Sequence, residues 1–283
     1  MRKIMFLIVI LLNGIILINA CKKEKIDEQL EFDTQTSSDN SLAEGTFNDV
    51  NNIAGQAMES DSLGLYRIGS NPTTLFSRCA TVTNTPNGSG GGIITVNFGT
   101  SNCQCRDLRF RRGTIIINYT GLYRDSGTVI TTTFDNYFVG KDSSRMFEVT
   151  GSKMVTNIGH NTEGNLNYSI SVNGHLINSQ GVSMDWDSEK NREWKNGANT
   201  PLDLEDDEYV ITGSASGTNF EGNSFSVNIT HGLHIKYCAY LTEGVFELTP
   251  SGKPTRTFDY GNGTCDALAT LTINNKTFQI VLR

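Results

Sequence analysis

The chain has 283 residues, with 30 acidic against 23 basic side chains and a net charge of −7. That balance argues against a nucleic-acid partner and against docking to anionic lipid by charge, because both require a basic face. Five prolines in the whole chain leave long uninterrupted segments free to build a core.

The first 21 residues read MRKIMFLIVILLNGIILINAC. Arg2 and Lys3 precede an apolar run from Ile4 to Ile18, and a small residue, Ala20, stands before Cys21. This is the layout of a secretory signal peptide over residues 1–20. The run is about 15 residues, short of the roughly 20 that a membrane-spanning helix needs. Ala20-Cys21 resembles a bacterial lipobox. The resemblance implies cleavage before Cys21 and acylation of its sulfur with palmitate-type chains. Several acyl chains anchor a protein stably, at about 0.8 kcal/mol per buried CH₂. Lys22 stands where an inner-membrane retention aspartate would be, which points to the outer membrane; the side it faces is left open. Without Arg2 and Lys3, 21 basic residues face 30 acidic ones, a net charge of −9.

Residues 21–40 are polar and charged without apolar periodicity, and read as a lipidated flexible tether. Residues 41–58 carry the one helical pattern. Ala43, Phe47, Val50, Ala54 and Ala57 recur at three- and four-residue steps. Asn40 or Ser41 is the expected N-cap, with Glu44 completing a capping box.

Beyond Leu65 the period becomes two. Strand-like segments occupy 113–121, 127–139, 165–174, 207–217, 223–230, 267–274 and 276–283, with turn signals such as RDSG and INNK between them. Apolar residues alternate with Thr, Ser and Asn, the writing of antiparallel strands with one buried face. Short turns make sequential strands pair as hairpins. The expected fold is all-β. It is a single domain over 41–283, an antiparallel meander of about a dozen strands closed or folded into a barrel-like sandwich, with one N-terminal amphipathic helix. Tyr119, Phe134, Tyr168 and Phe225 are expected in its core.

Two segments repeat a pattern. CATVT at Cys79 is followed by NGSGGG and then FGTSNC, ending at Cys103; CAYLT at Cys238 is followed by PSGK and then YGNGTC, ending at Cys265. If each unit is a hairpin, its cysteines arrive together near the open end, since opposed strand residues lie within disulfide range. The expected pairs are Cys79–Cys103 and Cys238–Cys265, in the oxidising envelope. Four cysteines allow three connectivities, and spacing alone does not exclude the other two. Cys105, in CQC, is left over; its two readings are an incidental buried thiol and a redox or metal thiolate.

No catalytic fingerprint occurs. His231 and His234 lie three apart in a strand-like stretch, where side chains point to opposite faces unless a bulge intervenes. The acidic run Asp203, Glu205, Asp206, Asp207 and Glu208 lacks the glycine and spacing of a calcium loop and reads as a solvated loop. GSGGG at 88–92 reads as a hairpin tip. MDWDSEKNREW at 184–194 sets Trp186 and Trp194 beside Asp185 and Asp187, a composition that sugar-binding faces share.

The lipobox, YTGLYRDSGT at 119–128, FDNYFV at 134–139 and FDYGNGTCD at 258–266 together resemble a group of β-rich lipoproteins of Bacteroidota with no assigned activity. The resemblance covers nearly all the chain after residue 20 and carries no catalytic residue with it. Asp61-Ser62-Leu63 also resembles the short O-glycosylation sequon of those bacteria, with Ser62 expected in a loop.

The reading is a non-enzymatic outer-membrane lipoprotein used for binding or envelope structure. No metal or cofactor is expected. Its partners would be the membrane, through the lipid, and a glycan or envelope protein. Two alternatives are a glycan-binding or carbohydrate-active protein centred on Trp186 and Trp194, and a carrier of apolar ligands.

Overall fold

A computed structural model describes residues 34–62, 76, 78–200, 203, 205–238 and 240–281. The signal peptide, Cys21 and most of the tether lie outside the described residues. No helix among the described residues is long and apolar enough to cross a membrane.

One helix, α1 (Thr34–Ser62), precedes fourteen strands. They are β1 (Thr81–Pro86), β2 (Gly92–Asn97), β3 (Cys103–Gln104), β4 (Phe110–Tyr119), β5 (Val129–Asp142), β6 (Arg145–His160) and β7 (Leu166–Ile177). There follow β8 (Ser183–Asn196), β9 (Glu208–Thr218), β10 (Ser224–Ile235), β11 (Glu243–Pro250), β12 (Arg256–Asn262), β13 (Leu268–Ile273) and β14 (Lys276–Val281). All belong to one antiparallel meander in sequence order, β3 pairing on β4 beside β2. The all-β class and the helix are as expected. The sheet is open, not closed: β1 and β14 each pair on one side only. Both are short, and Pro86 ends β1, which limits the bare edge offered to other chains.

Bulges bend the sheet. Register slips in β4 between Arg112 and Thr114, where Gly113 takes φ 83°. A Cβ there would collide with the Asn136 carbonyl, so only glycine fits the bend. Further slips lie in β5, β6, β10 and β11.

The curved sheet holds α1 against its inner side. The helix is longer than its sequence pattern predicts at both ends, and residues 34–40 belong to it rather than to the tether. The reason is tertiary. Asn219 in the β9–β10 turn donates to the Thr36 hydroxyl, and Phe220 N donates to Asp39. Asn40 and Ser41 are therefore interior residues, not caps: Asn40 accepts from Trp186 Nε1, and Ser41 donates to the Ser37 carbonyl. Among the described side chains of α1 only Gln35, Ser38, Ser41 and Asn52 are exposed. Phe47 is its aromatic anchor, stacked on Trp186 at 5.6 Å and edge-on to Phe134 at 6.3 Å. Gly174 on β7 makes room for that ring, which any Cβ would strike.

These contacts fix the direction of the helix. Its N-terminus meets the β9–β10 turn, at what is here called the near end of the sheet. Its C-terminus lies at the far end, where Asn84 donates to Asp61 at 2.6 Å and Arg124 donates to Glu59 at 2.7 Å. The β1–β2, β4–β5, β6–β7 and β8–β9 connections share the far end.

Candidate functional site

The inner side of the sheet is charged, and the charge matches the helix. α1 carries Asp39, Glu44, Asp49, Glu59 and Asp61 and no basic residue. Facing it are Arg111 on β4, Arg124 in the β4–β5 loop, Lys153 on β6, and Lys190 and Arg192 on β8. Arg111 is fully buried and donates from Nη2 to both Asp49 oxygens, at 2.7 and 2.8 Å, and to Asp107. Burial alone would lower its pKa, but Asp107 and Asp49 hold it above the ordinary arginine value. Lys190 pairs with Glu44. Lys153 donates to the Phe47 carbonyl at 2.9 Å. Burial, reinforced by neighbouring Arg192 and Lys190, brings its pKa down to about 7, with Glu44 opposing.

At the far end four side chains stack in series. The Arg124 guanidinium lies 4.6 Å from the Trp194 ring centroid, and Trp194 lies 5.3 Å from Tyr209. Arg192 lies 3.6 Å from the Tyr209 centroid. Ring faces attract cations, the more so out of water, so this stack lets Arg192 be buried without a carboxylate bonded to it among the described residues. Asp207 pins the stack from the side, accepting from Trp194 Nε1 at 3.0 Å and from Tyr209 OH at 2.9 Å. Burial raises the Asp207 pKa, and those two donors oppose the rise.

Two clefts open at the far end. One, of about 430 Å³, lies between the tip of the β1–β2 hairpin and the Tyr119–Tyr123 stretch, with Met58 and Asp61 of α1 in its wall. The other, of about 440 Å³, is lined by Trp194, Leu166, Arg124, His160, Asn165 and Lys195 among others. Both are within the usual range of small-molecule sites, roughly 300–1,000 Å³.

Trp186 and Trp194 are 2% and 5% exposed, so neither is an open stacking platform for a sugar ring. They face inward because β8 is a strand. Met184, Trp186, Ser188, Lys190, Arg192 and Trp194 point to the helix side, while Asp185, Asp187 and Glu189 point outward. The two aspartates make cross-strand bonds on the outer face, accepting from His175 Nδ1 at 2.7 Å and from Asn173 at 2.7 Å. They do not share a site with the indoles. The cysteines pair as Cys79–Cys103 and Cys238–Cys265, each beyond the open end of a hairpin, β1–β2 and β11–β12. The first staple lies at the near end and the second at the far end.

Cys105 is buried among Arg111, Asp107 and Asp49, and burial pushes its thiol pKa up. His231 and His234 flank a bulge and face different carboxylates, Glu243 at 3.8 Å and Glu208 at 3.2 Å. Among the described residues no three His, Cys, Asp or Glu side chains are grouped as a metal would need. The acidic run is not uniformly solvated, since Asp207 is buried. Glu208, although partly desolvated, is held below its ordinary pKa by donors from His234, Asn196 and Lys236. The glycine-rich 88–92 stretch is a hairpin tip, fastened by Asn87 accepting from Ser89 N and Gly91 N. Ser62 ends α1 instead of lying in a loop. Tyr168 and Phe225 are core residues, while Tyr119 and Phe134 are partly buried against the core.

Sequence inspection missed Arg124, Arg192 and Tyr209. The signal that could have found them is an inward alternation in which Lys190, Arg192 and Trp194 occupy successive inward positions. Comparison with protein-family models, with curated proteins and with solved structures finds no match for this chain.

Proposed function

We propose that the chain is an outer-membrane lipoprotein, anchored by acyl chains on Cys21, whose β domain binds a partner and performs no chemistry on it. The observation that carries this reading is directional. The chain arrives from Cys21 at the N-terminus of α1, at the near end of the sheet, and both clefts lie at the far end. The clefts are thus at the end of the sheet remote from the point where the tether joins α1, which supports a partner bound away from the lipid. The long inner contact of α1 with β1, β4, β6, β8 and the β9–β10 turn ties the point where the tether joins to the sheet. Signal-peptide cleavage before Cys21 and glycan attachment at Ser62 belong to the same proposal.

The carrier alternative needs an apolar hollow, and the inner side of the sheet is taken up by α1. The glycan alternative is favoured by one observation, the amide- and cation-lined cleft over Trp194.

The test uses the full-length lipidated protein in vesicles containing a lipid-borne quencher. A fluorophore at Gln180, in the near-end β7–β8 turn, should be quenched, and one at Asn199, beside the far-end cleft, should not. Equal quenching at both, or loss of protein from the vesicles, would overturn the reading.

A further inference from the structure

The cleft over Trp194 has an unusual charge for this chain. The protein is acidic overall, yet the lining of this cleft contains Arg124, Lys195 and His160 and no carboxylate. The remaining polar lining is amide, from Asn165, Asn196 and Asn199.

Arg124 is the best-prepared group. Its Nε donates to Glu59 at 2.7 Å and its guanidinium carbon lies over the Trp194 ring, 4.6 Å from the centroid. Behind Trp194, Tyr209 and Arg192 complete the stack, and Asp207 locks both rings. The two Nη groups of Arg124 have no hydrogen bond to any described residue, and the side chain lines the cleft. An arginine fixed on one edge and one face, with its fork open to a cleft, suits the two oxygens of a carboxylate or phosphate. Little rotamer entropy is left to lose on binding.

Lys195 adds a second charge to the cleft lining. Glu163 and Glu193 hold it at 2.7 and 3.4 Å, so it is positioned but largely neutralised. Glu193 also accepts from Asn165 and Asn161, both at 2.7 Å, which orients the Asn165 amide in the cleft wall. Positioned amides are suited to hydroxyl groups, which both donate and accept.

We propose that this cleft binds a small, hydroxyl-rich anion, a sugar bearing a carboxylate or a phosphate, with Arg124 as its anion-binding group. The inference rests on the binding reading above and gives it a ligand class. The indole serves as the support of the arginine and not as a platform for the sugar ring.

Calorimetric titration of the full-length protein in detergent micelles tests this, with glucuronate, glucose 6-phosphate and glucose as probes. At least one anionic sugar should bind with Kd below about 1 mM and glucose at least tenfold more weakly. The preferred anion decides between carboxylate and phosphate. Arg124→Gln should weaken binding roughly 10- to 100-fold, the loss expected for a charge-assisted hydrogen bond. Asn199→Trp, an exposed change that fills the cleft and leaves Arg124 intact, should abolish binding even if the arginine variant fails to fold. No heat from either anionic sugar at about 10 mM, or unchanged binding in Asn199→Trp, would overturn the proposal. Vesicle quenching reads anchoring and orientation without any ligand, so a failed titration with intact quenching refutes this ligand class alone.

Discussion

Asp49, in the middle of α1, accepts two hydrogen bonds from one nitrogen of Arg111 on β4, and neither side chain is more than 4% exposed. A helix without a basic residue and a sheet with inward cations are each unsuited to burial alone. Together they satisfy one another, and the pair fixes the helix along the inner side of the sheet. Removing one member of a buried pair strands the other, at a cost of about 3–5 kcal/mol. Arg111→Met should lose that much in urea unfolding. Arg111→Met combined with Asp49→Leu should lose less than the sum of the two single changes.

Lys153 makes stability depend on pH. Its folded pKa, about 7, is below its ordinary value of 10.5, so the unfolded chain binds more protons between those values. Stability therefore rises with pH across that window and is lost as pH falls toward 7. Arg192, Glu44 and Lys190 are the charged groups that face it. The wild-type protein should gain about 3 kcal/mol relative to Lys153→Met between pH 7 and pH 10. A flat difference between the two unfolding curves would contradict this.

Gly174 and Phe47 form a packed pair across the sheet and helix. Gly174→Ala pushes a methyl into the ring and should cost about 1–3 kcal/mol or more. Phe47→Ala should cost about 3–5 kcal/mol. The double variant should cost less than the two together, because the space vacated by the ring receives the methyl. Thermal melts of the four proteins check the coupling.

Much of the fold is legible in the sequence because most strands alternate plainly. Leu166, Tyr168, Ile170 and Val172 point in, with Asn and Ser between them, and they form β7 as expected. The cysteine repeat is legible for the same reason: each copy is a hairpin, and a hairpin brings its flanks together. β6 and β8 were not, because Lys153, Lys190 and Arg192 sit at inward positions where a strand pattern calls for apolar residues. Those cations are inward because an acidic helix lies there, a fact of tertiary structure that no local window contains. Trp194 illustrates the same limit. Its neighbours Asp185 and Asp187 suggested a sugar face, but alternation sends them to the other side of the sheet, and its actual partners, Arg124 and Tyr209, are distant in sequence.

The two disulfides close loops of similar length, with separations of 24 and 27 residues. On the chain-entropy model each contributes about 3–4 kcal/mol. Cys79→Ala/Cys103→Ala and Cys238→Ala/Cys265→Ala should therefore fall by similar amounts in urea unfolding. A near-neutral result for either pair would show that its staple is redundant.

The lipid anchor at Cys21 is read most directly by the intact mass of the protein purified from its native membrane. The predicted mass is that of residues 21–283 with two disulfides, increased by a diacylglycerol group on the Cys21 sulfur. In denaturant, without reductant, that species should show one reactive thiol, Cys105. A mass beginning at Met1, or a mature chain with an unmodified Cys21 and two reactive thiols, would contradict it.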